Sequence, residues 1–149
     1  MGKVLGIARR AAKRAPMETL QAANISRASG VAGDARGRPG DRQVTLLSCE
    51  DWQAACAEAG SDLPWTARRA NILLGGVELP HVAGAIVEIG DVRLEVTMET
   101  APCSRMDEQH DGLRNALGPA WRGGVCCRVI EGGEVRVGST VRIAGQRRA

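Results

Sequence analysis

One cysteine, Cys103, offers the clearest chemistry in this sequence. It lies in Ala101-Pro102-Cys103-Ser104-Arg105-Met106, directly after the best strand pattern in the chain. Pro102 interrupts that strand, and Arg105 with the start of a following helical segment would stabilise a thiolate. A thiolate can act as a nucleophile, carry a persulfide or bind a soft metal. A buried, inert cysteine explains the same residues, and the residues alone favour it, because free cysteines are often structural.

The other cysteines and the two histidines do not predict a metal site. Cys126 and Cys127 are neighbours in an apparent strand, so their side chains should point to opposite faces. Cys127 is expected in the core, and only one of the two can share a site with Cys103. There is no Cys-x-x-Cys pair, and His81 and His110 lack ligand spacing, which disfavours structural zinc. His110 stays a candidate base because it lies near Cys103 in the sequence.

Arginine and amide side chains recur where loops lead into predicted strands. Arg42 precedes one strand, Arg68-Arg69-Ala70-Asn71 leads into a second, and Arg122 precedes a third. If these junctions share one end of a barrel, they form an anion pocket, because guanidinium groups suit phosphate and carboxylate. Asp34, in the glycine-rich loop 30–41, could orient one of these arginines. The alternatives are ordinary solvated charges and a plain turn.

The composition describes one domain with few aromatic residues. The chain has 149 residues with 3 Trp and no Phe or Tyr, so aliphatic side chains and Met must build the core. A net charge of +3 and the shortage of stacking aromatics argue against a nucleic-acid partner. No secretory signal or membrane-length apolar run is visible, and the cysteines number 5. We therefore expect a cytoplasmic protein with free thiols and no membrane partner.

Glycine turns between β-branched runs predict a mainly β fold with a few short helices. Strict alternation over Val92–Val96 indicates a strand with one buried face. Hairpins are expected where two-residue turns separate such runs, since glycine adopts the positive φ that they need. These turns are Gly75-Gly76, Gly90-Asp91 and Gly132-Gly133. Helices are predicted over Cys49–Ala59, capped by Ser48, and over Asp111–Leu117. Short strands with tight turns favour a barrel or a sandwich.

An ordered set of motifs resembles the MOSC domain family, which is named after the C-terminal domain of molybdenum cofactor sulfurase. The motifs are Gly33-Asp34-Ala35, Arg42-Gln43-Val44-Thr45-Leu46-Leu47, Arg69-Ala70-Asn71-Ile72, Ile89-Gly90-Asp91, Pro102-Cys103-Ser104-Arg105, Gly123-Gly124-Val125 and Val137-Gly138. The resemblance is to the small, stand-alone bacterial type. It implies a single MOSC-like domain over residues 1–149, with a core of about 4–143. The implied fold is a MOSC-type β-barrel with the Pro-Cys motif at a pocket.

The resemblance also implies roles for individual residues. Cys103 would carry sulfur or face the molybdenum of a molybdopterin cofactor, with Arg105 beside it in the catalytic motif. Arg69 and Asn71 match residues that hold this cofactor in the molybdenum-dependent amidoxime-reducing relatives. The residues expected to bind the cofactor or its anionic group are Arg69, Asn71, Arg42 and Asp34.

Two departures from the family pattern bear on the activity. Many members have histidine where this chain has Arg36, and the amidoxime-reducing relatives have a second cysteine where it has Met106. A thioether is a far weaker ligand than a thiolate, so Cys103 itself would have to ligate molybdenum. The sequence also carries neither the added β domain of those relatives nor the pyridoxal-phosphate domain of the sulfurases.

The expected function is sulfur transfer, or molybdenum-dependent reduction of N-hydroxylated compounds, with a small anionic or sulfur-containing ligand. Besides this ligand, we expect a partner enzyme or an electron donor to interact with the chain. The alternative is a non-catalytic module that delivers cofactor or sulfur to a partner enzyme, with Cys103 buried and inert. Exposed strand edges in a small β domain favour a homodimer.

Overall fold

The β-branched runs of the sequence form strands in the computed structural model, which describes residues 2–146. The strands are β1 (Gly2–Arg9), β2 (Glu18–Leu20), β3 (Ala22–Ser26), β4 (Gly30–Val31), β5 (Val44–Ser48), β6 (Ile72–Gly75), β7 (Ala85–Ile89), β8 (Val92–Glu99), β9 (Val125–Glu131), β10 (Gly133–Arg136) and β11 (Thr140–Gln146). The helices are α1 (Cys49–Ala59), α2 (Ser104–Gln109) and α3 (Leu113–Leu117), with 3₁₀ turns at Trp65–Arg68 and Pro119–Trp121. None of the helices in this described part of the chain has the length and apolarity needed to cross a membrane.

Within residues 2–146, seven strands close into a barrel. Around the ring the order is β1, β11, β7, β8, β9, β5 and β6, and β6 pairs with β1 to complete it. β2 extends the sheet beyond β1, while β10, β3 and β4 form a separate three-stranded sheet. The prediction of a mainly β fold with a barrel and short helices is therefore confirmed.

Aliphatic side chains fill the barrel interior, as the absence of Phe and Tyr requires. Alternation along β5 sends Val44 and Leu46 into this inner core, whereas Leu47 belongs to a second apolar cluster on the other side of the wall. In that outer cluster Leu47 and Leu73 pack against residues of α1, α2 and α3. Burying one such leucine contributes about 1.5–3 kcal/mol, so both faces of the β5–β6 wall stabilise the fold.

Local signals in the sequence place several elements correctly. β7 and β8 form the expected hairpin around Gly90. α1 follows Ser48, whose side chain accepts a hydrogen bond from the Asp51 amide at 3.2 Å. It ends before Gly60, which adopts the left-handed conformation. The predicted second helix is present as α3, which begins at Leu113.

Two of the expected hairpins are wrong, and for one physical reason. The turn at Gly75-Gly76 ends β6, but Val77–Leu79 forms no strand, because both edges of β6 already pair, with β1 and β5. β9 and β10 flank the turn at Gly132-Gly133 without pairing: β9 is bonded to β8, its other edge pairs with β5 at Val125–Cys127, and beyond this ladder the Val129 amide donates to Gln43 Oε1. β10 pairs with β3 instead. A barrel strand whose two edges are already paired has no edge left for the segment that follows it.

β5 and β6 run parallel, and Asn71 fixes the point where their pairing begins. The Thr45 main-chain amide and hydroxyl donate to Asn71 Oδ1 at 3.0 and 3.2 Å. The Asn71 main-chain amide donates to Thr45 Oγ1 at 3.0 Å. Asn71 Nδ2 also donates to the Ala8 carbonyl on β1 at 3.2 Å. The side chain therefore ties three neighbouring strands and sets the register in which Leu46 lies opposite Ile72.

Gly124 allows the chain entering β9 to pass close to β5. Its φ is +98°, and a Cβ there would lie 2.2 Å from the Leu46 carbonyl oxygen. We expect Gly124→Ala to lower the free energy of unfolding by about 3 kcal/mol or more, through left-handed strain and a main-chain clash. Gly138→Ala is the matched control, because Gly138 has φ +95° and nothing within 4 Å of its Cβ position.

The control should lower the free energy of unfolding only through backbone strain, by about 1–2 kcal/mol. Urea denaturation measures both variants against the wild type. Equal losses for the two variants would contradict the close approach of Gly124 to β5.

Candidate functional site

A cavity of about 250 Å³ lies against the outer face of the barrel wall, beside the start of α2. Thr45 of β5 and Cys126 of β9 line it and lie opposite each other in the ladder. Each is flanked in sequence by residues whose side chains belong to the inner core, so both point outward. The junctions that lead into β5 and β6 thus contribute to a cavity on the barrel wall.

All six residues predicted for the site line this cavity. They come from the loop after β4, the entrances to β5 and β6, the segment that joins β8 to α2, and the first turn of α2. They are Asp34, Arg42, Arg69, Asn71, Cys103 and Arg105. The cavity also includes Arg68, which the sequence had grouped with the arginines before β6, and polar side chains to which the sequence gave no role in the site, namely Arg10, Arg36, Thr45, Glu99 and Thr100.

Two further residues that the sequence offered as candidates, a base and a junction arginine, do not line this cavity. His110 follows α2, and its Nε2 lies 2.8 Å from the Ala59 carbonyl oxygen, so it is not placed as a base for Cys103. Arg122 pairs with Glu58 at 2.7 Å and does not line the cavity.

Cys103 is exposed and stands at the N-cap position of α2, where its side chain makes no capping hydrogen bond. Pairing between β8 and β9 ends at Glu99, so Cys103 has already left the sheet. The alternative of a buried cysteine is therefore wrong. Since an exposed thiol in a basic setting is the kind that reacts, the cavity is open to sulfur chemistry at this position.

Arg68 is a buried charge that the sequence did not single out. Its side chain is 8% exposed, and it donates from Nε to the Gly123 carbonyl at 3.1 Å and from Nη2 to the Thr100 carbonyl at 2.6 Å. Burial lowers the pKa of Arg68, while negative charge on Cys103 and Cys126 acts to raise it. The guanidinium therefore lies within electrostatic range of both thiols of the cavity.

Arg69 and Arg10 present hydrogen-bond donors that the described part of the chain does not use. Arg69 donates from Nη2 to the Ala15 carbonyl, but its buried Nε has no partner. Burial lowers the pKa of Arg69, and the charges of Arg105 and Arg36 lower it further. The Arg10 side chain is 8% exposed, and its guanidinium makes no hydrogen bond or ion pair within residues 2–146. A buried donor without a partner is costly, so the Nε of Arg69 favours an anionic ligand here.

Asp34 holds the main chain of two of these arginines. Its Oδ1 accepts from the Arg10 amide at 3.0 Å, and its Oδ2 accepts from the Arg36 amide at 3.2 Å. Both carboxylate oxygens are thus used within the loop. Asp34 therefore fixes the main chain at Arg10 and Arg36, and in the described part of the chain it makes no hydrogen bond to the arginines before β5, β6 and β9 that the sequence had considered for it.

Asn71 has little capacity left for a ligand. Its Oδ1 already accepts two hydrogen bonds from Thr45, and Nδ2 donates once to Ala8. One N–H of the amide remains, since a side-chain amide carries two. Asn71 thus builds the wall of the cavity and can offer a ligand one donor.

The cavity carries an excess of positive charge. Its lining holds six arginines against the two carboxylates of Asp34 and Glu99. A neighbouring cavity of about 330 Å³ shares Arg69 and Arg105 with it and adds the charges of Arg14 and Glu108. In the described part of the chain, no cluster of three or more His, Cys, Asp or Glu side chains could hold a metal ion. The arrangement suits an anion beside a thiol, and a metal would have to arrive with ligands of its own.

Comparisons with known proteins agree with this architecture. The YuaD protein from Bacillus subtilis superposes with a TM-score of 0.77 and 17% identity, covering 99% of this chain and 98% of that one. YiiM from Geobacillus stearothermophilus gives a TM-score of 0.75 and 17% identity, covering 97% of this chain and 75% of that one. At these identities the likeness shows the fold alone. No curated protein matches the chain.

A family model provides the assignment. The model of the MOSC domain matches residues 21–142, a stretch that contains all six predicted site residues and most of the barrel. β1, which closes the ring, lies before the matched stretch. The chain belongs to the MOSC domain family.

Proposed function

We propose that this chain handles sulfur at Cys103, within a pocket that holds the anionic part of a small ligand. MOSC domains are linked to sulfur handling and to molybdenum cofactor binding. One observation carries the proposal: the exposed thiol shares its cavity with arginines whose side chains have no hydrogen bond or ion pair within residues 2–146. These are Arg10, Arg36, Arg42 and Arg105.

The charges of these arginines supply the physical reason for anion binding. Burial lowers the pKa of Arg10, and the neighbouring charges of Arg69 and Arg36 lower it further. An anion between them would relieve this repulsion and replace lost hydration. A sulfur donor or acceptor with an anionic group would thereby be held next to Cys103, as proximity catalysis requires.

Molybdenum cofactor binding is a second candidate, and the unpartnered Nε of Arg69 favours it. The arginine lining fits the anionic groups of a molybdopterin. The cavity of about 250 Å³ is smaller than the roughly 300–1,000 Å³ usual for small-molecule sites. The neighbouring cavity, which also has Arg69 and Arg105 in its lining, would offer further room. Cys103 would provide one sulfur ligand, and the bound metal would supply two-electron redox chemistry.

Sulfur uptake by Cys103 tests the first proposal. The reduced chain is mixed with inorganic polysulfide and quenched within seconds with excess iodoacetamide, which caps any persulfide. We expect the Cys103 peptide to carry one added sulfur in the wild type, because this thiol is exposed among positive charges. Cys103→Ser should lose that product, and Cys49→Ser should keep it. Uptake at Cys49 or Cys56 in place of Cys103 would sink the proposal.

The role of the arginines is tested by the charge of a thiol reagent. At Cys103, the ratio of the alkylation rates with iodoacetate and iodoacetamide should fall roughly threefold to tenfold in Arg105→Gln, because a cationic cleft concentrates anions. Raising the ionic strength should lower the wild-type ratio in the same direction. Arg128→Gln is the control, since Arg128 pairs with Glu95 and lies outside the cavity lining. An equal ratio in both variants would contradict the anion pocket.

Retention of cofactor tests the second candidate. The chain is produced in a host that makes molybdenum cofactor, and its molybdenum and pterin are measured after purification. We expect equimolar metal and pterin in the wild type and in Cys49→Ser. Cys103→Ser should keep pterin but lose most of the metal, because arginines hold the anionic groups and the thiol holds molybdenum. A wild-type chain that retains neither molybdenum nor pterin would contradict this second candidate, and sulfur handling would remain the proposed function.

A further inference from the structure

The cavity holds a second thiol, that of Cys126. Cys126 follows the first residue of β9, and its flanking residues Val125 and Cys127 belong to the inner core. Its own side chain therefore points outward, where it lines the same cavity as Cys103. Cys126 is 3% exposed, so its sulfur is shielded from bulk solvent and is reached through the cavity. Two of the 5 cysteines thus share one small space.

Thr100 connects the two thiols. Its Oγ1 lies 3.3 Å from Cys126 Sγ, and Cys103 follows three residues later. Three residues span at most about 10 Å when fully extended. The β8–β9 ladder ends at Glu99, so the main chain after Thr100 carries Cys103 without being held in the sheet. A disulfide needs Cα atoms within about 7 Å, a distance that adjustment of this short segment can meet.

Arg68 supplies the charge that such a pair needs. It bonds the carbonyls of Thr100 and Gly123, which lie close in sequence to Cys103 and Cys126 respectively. A fixed guanidinium near both sulfurs stabilises the thiolate on whichever sulfur acts as nucleophile or leaving group. Its position depends on main-chain acceptors, so it stays in place while the thiols change state.

We propose that Cys126 is a resolving cysteine, which attacks a persulfide carried on Cys103 and releases its outer sulfur as hydrosulfide. This inference rests on the sulfur handling proposed above. The Cys126 thiol loses its proton to solvent, and the thiolate attacks Cys103 Sγ. The bond between Cys103 Sγ and the outer sulfur breaks, and that sulfur leaves with the electron pair and its proton as HS⁻. The product is a Cys103–Cys126 disulfide.

The cycle closes by thiol–disulfide exchange. Two thiol groups of a small-molecule or protein reductant return both cysteines to the thiol state and are themselves oxidised to a disulfide. The persulfide supplies the oxidising equivalent for the first step, so no other oxidant is required. The ligand class is therefore a sulfane-sulfur donor, and the released product is sulfide.

The other cysteines are placed where they cannot take this role. Cys127 faces the inner core, and burial raises the pKa of its thiol. Cys49 and Cys56 belong to α1 and line a different cavity. Cys127 is consequently a matched control for Cys126: it is adjacent in sequence and of the same type, but on the opposite face of the strand.

The test follows sulfide release from the full-length chain. Wild type, Cys126→Ser, Cys126→Ala and Cys127→Ala are loaded with inorganic polysulfide, desalted and incubated. Sulfide is trapped with monobromobimane, and disulfides are mapped by peptide mass spectrometry. We expect about one sulfide per loaded wild-type or Cys127→Ala chain, with a Cys103–Cys126 cross-link. Both Cys126 variants should release sulfide at least about tenfold more slowly and keep the persulfide, since the attacking thiol is gone.

The outcomes separate this inference from the proposed function. Loading of Cys103 followed by equally slow sulfide release in wild type and Cys126→Ser overturns the resolving role and leaves sulfur carriage intact. Failure of Cys103 to load in every variant overturns the sulfur function. In that case, equilibration in glutathione redox buffers still tests the pair. A Cys103–Cys126 disulfide there supports the shared thiol site, and its absence overturns it.

Discussion

Asn71 and Thr45 form hydrogen bonds with each other where β5 and β6 begin to run parallel. The position of the cavity depends on this junction. Asn71 is buried, so each group left unpaired there would cost about 1–3 kcal/mol. The register that they set keeps Thr45 on the outer face, and a slip of one residue would turn it into the core. It also determines where the turn that ends at Arg68 reaches the wall. The placement of the charge beside the thiols therefore follows from hydrogen bonds that touch no ligand.

The buried charge of Arg68 is costly to the fold on its own. Two main-chain carbonyls compensate part of its lost hydration, but a buried ionic group is often no better for stability than a well-packed apolar one. Burial lowers the pKa of Arg68, and negative charge on the two thiols of the cavity would act to raise it. Arg69 has one buried donor, Nε, without a partner, and the guanidinium of Arg10 makes no hydrogen bond or ion pair in the described part of the chain. A lining with so many cations would be stabilised by a bound anion.

Local features could be predicted from the sequence because they depend on nearby residues, as with the Ser48 cap and the Gly90 turn. Strand partners could not, because barrel closure decides which edges are free, and this sends β10 to β3. The six predicted site residues carry family motifs, and they do come together. The sequence could not show that the side chains of Arg68 and Arg69 have different surroundings. They differ because Arg69 adopts the left-handed conformation, with φ 64°, which turns the two neighbouring side chains in different directions. Alternation predicts the outward face of Cys126, but only the β5–β9 register brings it to the cavity.

Met106 stands where the amidoxime-reducing relatives have a second cysteine, and in this chain the second thiol of the cavity comes from β9. It lies one helical turn after Cys103, and its amide donates to the Cys103 carbonyl at 3.0 Å. Its side chain is 3% exposed and packs in the cluster beneath the helices, away from the cavity. A cysteine there, in this backbone, would be surrounded by apolar groups that disfavour a thiolate. Cys126 instead belongs to the rigid wall, so the separation of the two sulfurs is set by the short segment after Thr100 that carries Cys103.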